Sequence, residues 1–209
     1  MKLGEIKIEA LKLMFASDGL SPKIADLPEL ESDENFKFYL AAMNGSINRC
    51  LSIFEQAQII PAKFLLIDSN LGSYEKGVIS FDFDDLEVDA LKVLSVKKRD
   101  GIGLSETELD FQFRNNILMV ESNSGGEFVV ELLPKLARIS DDTSDTEEID
   151  LPERFVDMMV HFIKGELYAE DEPALASVSM ERFESFIRGF RGSSDCGGKV
   201  KNIYCQTEM

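Results

Sequence analysis

Residues 36–54 read FKFYLAAMNGSINRCLSIF, and this stretch carries the clearest pattern in the chain. Its apolar side chains recur at alternating spacings of four and three, at Phe36, Leu40, Met43, Ile47, Cys50 and Phe54. That is the periodicity of one helix face, about five turns long. Ser32 and Asp33 offer N-caps before it, and Pro61 ends it. The stripe predicts an amphipathic helix that lies either in a core or at a subunit interface.

Three more helices are predicted on either side of this one. A short amphipathic helix covers residues 2–16 and is followed by a loop at 17–32. Pro152 suits the first turn of a third helix, because proline lacks the backbone N–H that a first turn leaves unpaired. Pro173 begins a fourth helix directly after three acidic residues, which suit the positive end of a helix dipole. The chain therefore has two helices before its middle and two after it.

The middle of the chain, from residue 62 to residue 133, changes to a period of two. Alternation of apolar and polar residues is typical of strands in an antiparallel sheet with one buried face. Asn115 and Asn116 tolerate a positive φ, which predicts a tight hairpin at 114–116. The predicted strands are Phe64–Asp68, Val78–Phe83, Ala90–Lys97, Glu108–Phe113, Ile117–Glu121 and Glu127–Leu133. They predict a small antiparallel sheet or sandwich.

These elements predict an α+β protein. We expect the two helix pairs to form one antiparallel helical bundle, with a small antiparallel β domain inserted and an extended C-terminal tail. The expected boundaries are 1–61 for the N-terminal helices, 62–138 for the β domain, 139–150 for an acidic linker, 151–192 for the C-terminal helices and 193–209 for the flexible tail.

Charge is the most unusual bulk property of the chain. Its 209 residues are 44% hydrophobic, yet 39 acidic against 22 basic residues give a net charge of −17. A charge of this sign repels DNA and anionic membranes, and it favours solubility, basic partners or cations. The segment from Arg188 to Cys205 is mildly basic by contrast.

Cysteine usage and hydropathy indicate a compartment. Cys50, Cys196 and Cys205 are too few and too widely spaced for a disulfide framework, which fits a reducing compartment. The N-terminal stretch has no signal-peptide core, and no apolar run reaches the roughly 18 residues of a membrane span. We expect a soluble protein, intracellular at synthesis, without membrane association.

Catalytic signatures are mostly absent from the sequence. His161 is the only histidine and stands between apolar neighbours, which is typical of a structural histidine. Gly101 and Gly103 form a GxG pair without the third glycine of a dinucleotide site. The dense carboxylates from Asp82 to Asp89 lack the central glycine and last glutamate of an EF-hand loop, so they are either a solvated turn or a divalent-cation site. We expect no enzyme activity, no cofactor and no metal.

Both ends of the chain resemble a known family. Its opening KLGEIKIEALKLMF, then FYLAAMNGSINRCLSIFEQAQIIP and LPERFVDMMVHFIKGELYAEDEPALASVSMERFESFIRG, resemble small neck proteins of tailed bacteriophages of low-GC Gram-positive bacteria. In that family a helix begun by proline reaches a junction of the form LYxEDEPxxA. A helix with arginine and Phe-Glu follows, and then a tail rich in lysine and valine. The resemblance covers about both helix pairs and not clearly the β segment.

The resemblance implies a head–tail adaptor, also called a connector or head-completion protein. Such proteins form a ring, usually dodecameric, below the portal and extend the DNA channel toward the tail. The implied partners are further copies of the chain, the portal protein and a tail-side neck or terminator protein, while DNA passes without specific binding. The implied location is the virion neck, after synthesis in the bacterial cytoplasm. The implied portal-binding tail is Lys199, Val200, Lys201, Asn202, Ile203 and Tyr204.

The charge of the chain fits an adaptor, because packaged DNA must slide past a channel wall without sticking. Candidate channel-facing acids are Asp82, Asp84, Asp85 and Glu87, together with the acidic run at 141–150. These acids could instead only keep an outer surface soluble.

Two other classes of function remain open at this point. An acidic protein-binding module, such as a DNA mimic or an inhibitor of a basic host protein, would use the same acidic clusters. A carboxylate enzyme, such as a metal-dependent hydrolase, would need a ligand constellation that the sequence does not display.

Overall fold

The computed structural model describes residues 1–15, 22–100, 105–122 and 124–195, and it divides into two compact units. The first unit holds residues 1–4 and 47–153 and contains all the strands. The second unit holds the described parts of residues 5–46 and 154–209 and is helical. The helices are α1 (Leu3–Met14), α2 (Leu27–Leu30), α3 (Lys37–Ala57), α4 (Val156–Leu167) and α5 (Pro173–Asp195).

The helical unit is held together by aromatic contacts and a close helix approach. The rings of Phe162 of α4 and Phe183 of α5 are in contact at a tilt, with centroids 4.9 Å apart. Gly165 lets α5 come near, because a Cβ there would lie 2.5 Å from Sδ of Met180. The hydroxyl of Tyr168, just after α4, donates a 2.6 Å hydrogen bond to the carbonyl of Met14. The last bond fixes the end of α1 against the end of α4.

The strand unit is a β-sandwich of two four-stranded antiparallel sheets. The first sheet has the order β1-β8-β4-β5 and the second the order β2-β3-β7-β6. The strands of the first sheet are β1 (Lys63–Asp68), β4 (Ala90–Asp100), β5 (Ser105–Glu108) and β8 (Glu127–Pro134). The strands of the second sheet are β2 (Ser73–Glu75), β3 (Val78–Asp82), β6 (Phe111–Arg114) and β7 (Ile117–Glu121).

One hydrophobic core fills the space between the two sheets. Every second residue of the central strands points into it, which is the packing that the period-two pattern indicates. Phe81 of one sheet meets Phe128 of the other edge to face, at 5.6 Å between ring centroids. The fully buried core residues are Ile67, Ile79, Phe81, Phe83, Val93, Val96, Leu118, Val120, Phe128, Val130 and Leu132.

The predicted hairpin at 114–116 is confirmed. Asn115 and Asn116 have φ values of 52° and 61°, and they connect β6 directly to β7. Two consecutive positive φ values form the turn whose twist matches that of the flanking strands. Asparagine is one of the few residues besides glycine that adopts this conformation at low cost.

The expected antiparallel helical bundle with a small β insertion is wrong. The chain is α+β, but its strands form two full sheets with a shared core rather than a small insertion. The apolar stripe of α3 is also not confined to a helical bundle, because α3 is divided between the two units. Residues up to 46 belong to the helical unit and residues from 47 belong to the sandwich unit. Periodicity showed that one face of this helix is apolar, but it carries no information about which partner that face contacts.

The predicted strand Glu108–Phe113 is also corrected. Glu108 ends β5, which pairs with β4, and Phe111 begins β6, which pairs with β7. The chain therefore leaves the first sheet and enters the second at residues 109–110. An alternating pattern continues through this crossing because both strands face the same core. The short strand β2 was missed, since three exposed residues give no periodicity.

Candidate functional site

The candidate acids lie together on the turn between β3 and β4, which we call the acidic turn (residues 82–89). Phe83 anchors this turn, because its side chain is fully buried in the sandwich core. The backbone N–H of Phe83 donates a 2.9 Å hydrogen bond to the carbonyl of Asn116. Glu87 has a φ of 54°, and the N–H of Val88 closes the turn with a 2.8 Å bond to the carbonyl of Phe83.

Two of the four acids shape the turn, and the other two do not. The carboxylate of Asp82 accepts a 3.0 Å hydrogen bond from the N–H of Asp84, a local turn that aspartate favours. The side-chain amide of Asn116 donates to the carboxylate of Asp84. Asp85 and Glu87 make no side-chain hydrogen bond within the described part of the chain. These two are therefore the carboxylates that can change without disturbing the backbone.

The acidic turn presents uncompensated negative charge. Asp82, Asp84, Asp85 and Glu87 are all exposed, and none pairs with a cation in the residues that the structure describes. Within those residues, no group of three or more acids, histidines or cysteines is arranged to hold a metal ion. The turn therefore projects a negative field without the convergent ligands that a divalent cation requires.

The acidic run at 139–150 is held by hydrogen bonds to other segments of the sandwich unit. The side chain of Asn48 both donates to the carbonyl of Ile139, at 2.7 Å, and accepts from its N–H, at 2.8 Å. Lys2 forms an antiparallel bridge with Glu148, and the N–H of Leu3 bonds the carbonyl of Glu147 at 3.0 Å. Through these bonds the N-terminal residues Lys2 and Leu3 pair with the acidic run as a short strand would.

A cavity of about 360 Å³ lies at one end of the sandwich, between the acidic turn and the acidic run. Glu87 and Asp89 line it from the turn, and acids of the run line it from the opposite side. Its apolar lining includes Leu3, Val88, Leu132, Leu136 and Ile149. The structure thus brings together two acidic clusters that are about sixty positions apart in sequence, around an apolar floor.

The cations of this cavity are mostly engaged. Lys63 pairs with Asp150, and Arg138 pairs with Glu55 of α3. Lys135 lies exposed at the rim, where its backbone N–H bonds the carbonyl of Asp89 at 2.9 Å. Acids at the rim therefore outnumber cations that are not already paired, and the cavity is electronegative.

Exposed apolar side chains on β1 were not identified as functional by the sequence reasoning. Phe64 is 60% exposed and Leu66 is 53% exposed, on a segment for which the sequence predicted only a strand. Both point to the outer face of the first sheet, since alternate residues of a strand share a face. The signal that could have found them is the alternation itself, which leaves Phe64 and Leu66 on the face opposite Leu65 and Ile67.

The helical unit has an exposed apolar stripe of its own on α5. Leu175 and Val178 are about half exposed and lie three positions apart, so they share a helix face. The same helix turns Phe183 inward against α4. The helix therefore has one buried apolar face and two half-exposed apolar residues on another.

The single histidine has a structural environment. The ring of His161 lies 6.1 Å from that of Phe186, and its Nδ1 has no hydrogen-bond partner within the described residues. Burial lowers the pKa of His161, the positive charge of Arg182 lowers it further, and Asp157 opposes both. His161 is therefore a partly buried imidazole that packs against an aromatic ring and has a lowered pKa.

The predicted portal-binding tail, from Lys199 to Tyr204, lies outside the described residues. Within the described residues, every helix is too short or too polar to cross a membrane. Comparison of the whole chain with known protein families and with curated proteins finds no match in either.

Proposed function

We propose that this protein is a structural head–tail adaptor of a tailed bacteriophage. In this proposal, copies of the chain form a ring below the portal and extend the DNA channel toward the tail. The observation that carries the proposal is the resemblance of both helical ends of the chain to phage neck proteins, with the junction LYAEDEPALA at residues 167–176 as its most specific part. The chain has no catalytic role and no cofactor in this proposal.

The environment of this junction supports an assembly role. Residues 167–176 connect α4 to α5 within the helical unit, and α5 then presents Leu175 and Val178 to solvent. A ring requires two different surfaces on each copy that fit each other and close the circle. The exposed apolar stripe of α5 supplies a surface of the kind that such contacts bury.

The distribution of charge supports passage of DNA without adhesion. The acidic turn carries exposed carboxylates that no described cation neutralises. Repulsion between such carboxylates and DNA phosphates keeps a duplex from binding a wall that it must slide past. Asp82, Asp84, Asp85 and Glu87 remain our candidates for the channel wall, and the tail from Lys199 to Tyr204 remains our candidate for the portal contact.

Imaging by negative-stain electron microscopy tests the proposal. The full-length chain is imaged alone and after mixing with portal protein, and we expect a ring that stacks coaxially on the portal. A variant lacking residues 199–209 should keep the circular dichroism and unfolding midpoint of the full chain but no longer attach. A chain that stays monomeric with portal, and instead captures a basic nucleic-acid-binding protein, would overturn the adaptor in favour of an acidic inhibitor.

A further inference from the structure

Strand β1 is an edge strand, and no other strand of the described residues pairs with its free side. It pairs antiparallel with β8 from Lys63 to Asp68, and it stands first in the order of its sheet. Alternate backbone N–H and C=O groups of such a strand point away from the sheet and can pair with another strand. A six-residue edge of this kind is long enough to hold an extended peptide.

The most exposed apolar side chains of the first sheet stand beside this edge, while Leu91 and Leu94 of β4 are less exposed. Phe64 and Leu66 stand at the edge, with Leu66 opposite the half-buried Val129 of β8. Toward the far edge the same face becomes ionic: Glu106 lies 3.4 Å from Lys97 and 3.7 Å from Arg99. The largest exposed apolar side chains of this sheet therefore lie at its β1 edge, and the opposite edge is ionic.

Strand β1 also lacks the usual protection of an edge. Natural proteins commonly blunt exposed edges with free lysines, prolines or bulges. Strand β1 contains no proline, its register with β8 is unbroken, and its one lysine, Lys63, is paired with Asp150. An unprotected edge flanked by exposed Phe64 and Leu66 is a surface suited to a partner strand.

The cavity next to β1 indicates the charge of that partner. Lys63, Phe64 and Leu65 form part of its lining. Glu87, Asp89, Glu147 and Glu148 line it as well, and none of them pairs with a cation in the described residues. Basic residues of an incoming strand, where it lies beside Lys63 and the cavity, would thus meet these acids, and its apolar residues would meet Phe64 and Leu66.

We infer that β1 is a docking edge for an extended segment of a partner protein in which basic and apolar residues alternate. The segment adds a strand to the first sheet through backbone hydrogen bonds. Its apolar side chains extend the row of Phe64 and Leu66, and its lysines or arginines face the acids of the cavity. This inference concerns the sandwich unit alone, so it stands or falls independently of the proposed adaptor ring.

Short synthetic peptides and the full-length protein test the inference. Three labelled seven-residue peptides alternate lysine with valine, glutamate with valine, and lysine with serine, and fluorescence anisotropy measures their binding. We expect the lysine–valine peptide to bind at least roughly tenfold more tightly than either of the others, because each of those lacks one of the two complementary features. Its affinity should fall as salt rises, since salt screens the attraction to the acids.

Hydrogen exchange then locates the bound peptide. The amides of β1 should exchange more slowly when the lysine–valine peptide is present, and those of β2, the edge of the other sheet, should not. The double variant F64S/L66S should weaken binding by roughly tenfold, since it removes two apolar contacts. Tyr74→Ser on β2 is the matched control, because Tyr74 is 57% exposed on an edge strand and should leave binding unchanged.

Three results would overturn the inference. Equal binding of the lysine–serine peptide would show that charge alone attracts the peptide. Loss of binding in Y74S with normal binding in F64S/L66S would place the site on the other sheet. Amides of β1 that exchange slowly in the protein alone, with no peptide binding, would show that another part of the chain or a second copy already covers the edge.

Discussion

The backbone N–H of Leu136 donates a 2.8 Å hydrogen bond to the carboxylate of Glu55, a side chain from the last turns of α3 that is only 8% exposed. The second carboxylate oxygen of Glu55 pairs with Arg138. One buried carboxylate thus joins a helix to the segment that leaves β8, across 81 residues of sequence. Both partners belong to the sandwich unit, so this contact anchors the end of α3 to the sheets.

Glu55→Ala should lower the free energy of unfolding by about 1–3 kcal/mol, because it leaves the buried N–H of Leu136 without an acceptor. Glu55→Gln should cost less, since the amide oxygen can still accept that bond. Urea denaturation measures both. Glu75→Ala is the control at an exposed ion pair with Lys76, and we expect a change below about 0.5 kcal/mol there. A loss in E55A no larger than in E75A would contradict the anchoring role.

Two phenylalanines on α5 should respond differently to truncation. Phe183 is 3% exposed and its ring contacts that of Phe162, whereas Phe186 is 37% exposed. Phe183→Ala should cost about 3–5 kcal/mol, because it leaves a cavity between α4 and α5. Phe186→Ala should cost clearly less, since water already reaches that ring. Thermal unfolding followed by circular dichroism separates the two, and equal losses would mean that the buried face of α5 is assigned incorrectly.

Two glycines provide a matched pair for the same substitution. A Cβ at Gly72 would lie 2.7 Å from Cγ2 of Ile79 and 2.8 Å from the ring of Phe81, and both side chains are buried. Gly72→Ala should therefore destabilise the protein by about 1–3 kcal/mol through overpacking. Gly189 lies within α5, and apart from the neighbouring backbone of the helix no described atom lies within 4 Å of such a Cβ. Gly189→Ala should stabilise by up to about 1 kcal/mol, because alanine favours a helix. Chemical denaturation yields both values, and a stable G72A would refute the close contact.

The pKa of His161 predicts how stability changes with pH. Burial and the charges of Arg182 and Lys164 lower this pKa in the folded state below its usual 6.5, against the opposing effect of Asp157. Glu9 and Lys12 of α1 border the same depression. The unfolded chain therefore binds the proton first as pH falls, and the contribution of neutral His161 to stability, complete above 6.5, is lost below it.

His161→Gln removes this titration and should flatten the stability profile on the acidic side. Urea unfolding of both proteins at about pH 7.5 and about pH 5.5 measures the difference. The unmodified protein should lose more stability across that interval than the variant does. Identical losses in the two proteins would mean that His161 does not contribute to the pH dependence.

Asp85 and Glu87 are the best residues for testing the channel role of the acidic turn, since neither shapes the turn by a side-chain hydrogen bond. If the proposed ring is correct, D85K/E87K should assemble normally and slow DNA ejection by roughly two- to tenfold at low salt, because lysines attract phosphates. The defect should ease at higher salt. The neutral pair D85N/E87Q is the control and should show a smaller effect. Unchanged ejection by assembled D85K/E87K at low salt would exclude the acidic turn from the channel wall.

Local structure could be predicted from the sequence where a single segment contains the whole cause. The Asn115–Asn116 hairpin follows from the tolerance of asparagine for a positive φ, and the strand at Val78–Asp82 follows from the alternation of apolar and polar residues. The clustering of acids on one turn could likewise be predicted, because the four residues are close in the chain: Asp82, Asp84, Asp85 and Glu87.

The contacts between surfaces could not be predicted in the same way, because they join segments that are distant in the sequence. The alternation from Glu108 to Phe113 looks like one strand, although its two ends pair with different sheets. The pattern at Phe64–Asp68 predicts a strand, but only the pairing of strands shows that it lies at an edge and leaves Phe64 and Leu66 exposed.

The sequence by itself determined the identity of most helices and strands, the positions of the turns and the excess of negative charge, since these depend on local periodicity and composition. Only the tertiary structure decided that the strands form a complete sandwich, that Glu55 meets Leu136 and Arg138, and that two acidic clusters border one cavity. The physical reason is that removing apolar surface from water lowers the free energy whichever partner covers that surface. The partner is then selected by the shape and hydrogen bonds of the whole chain.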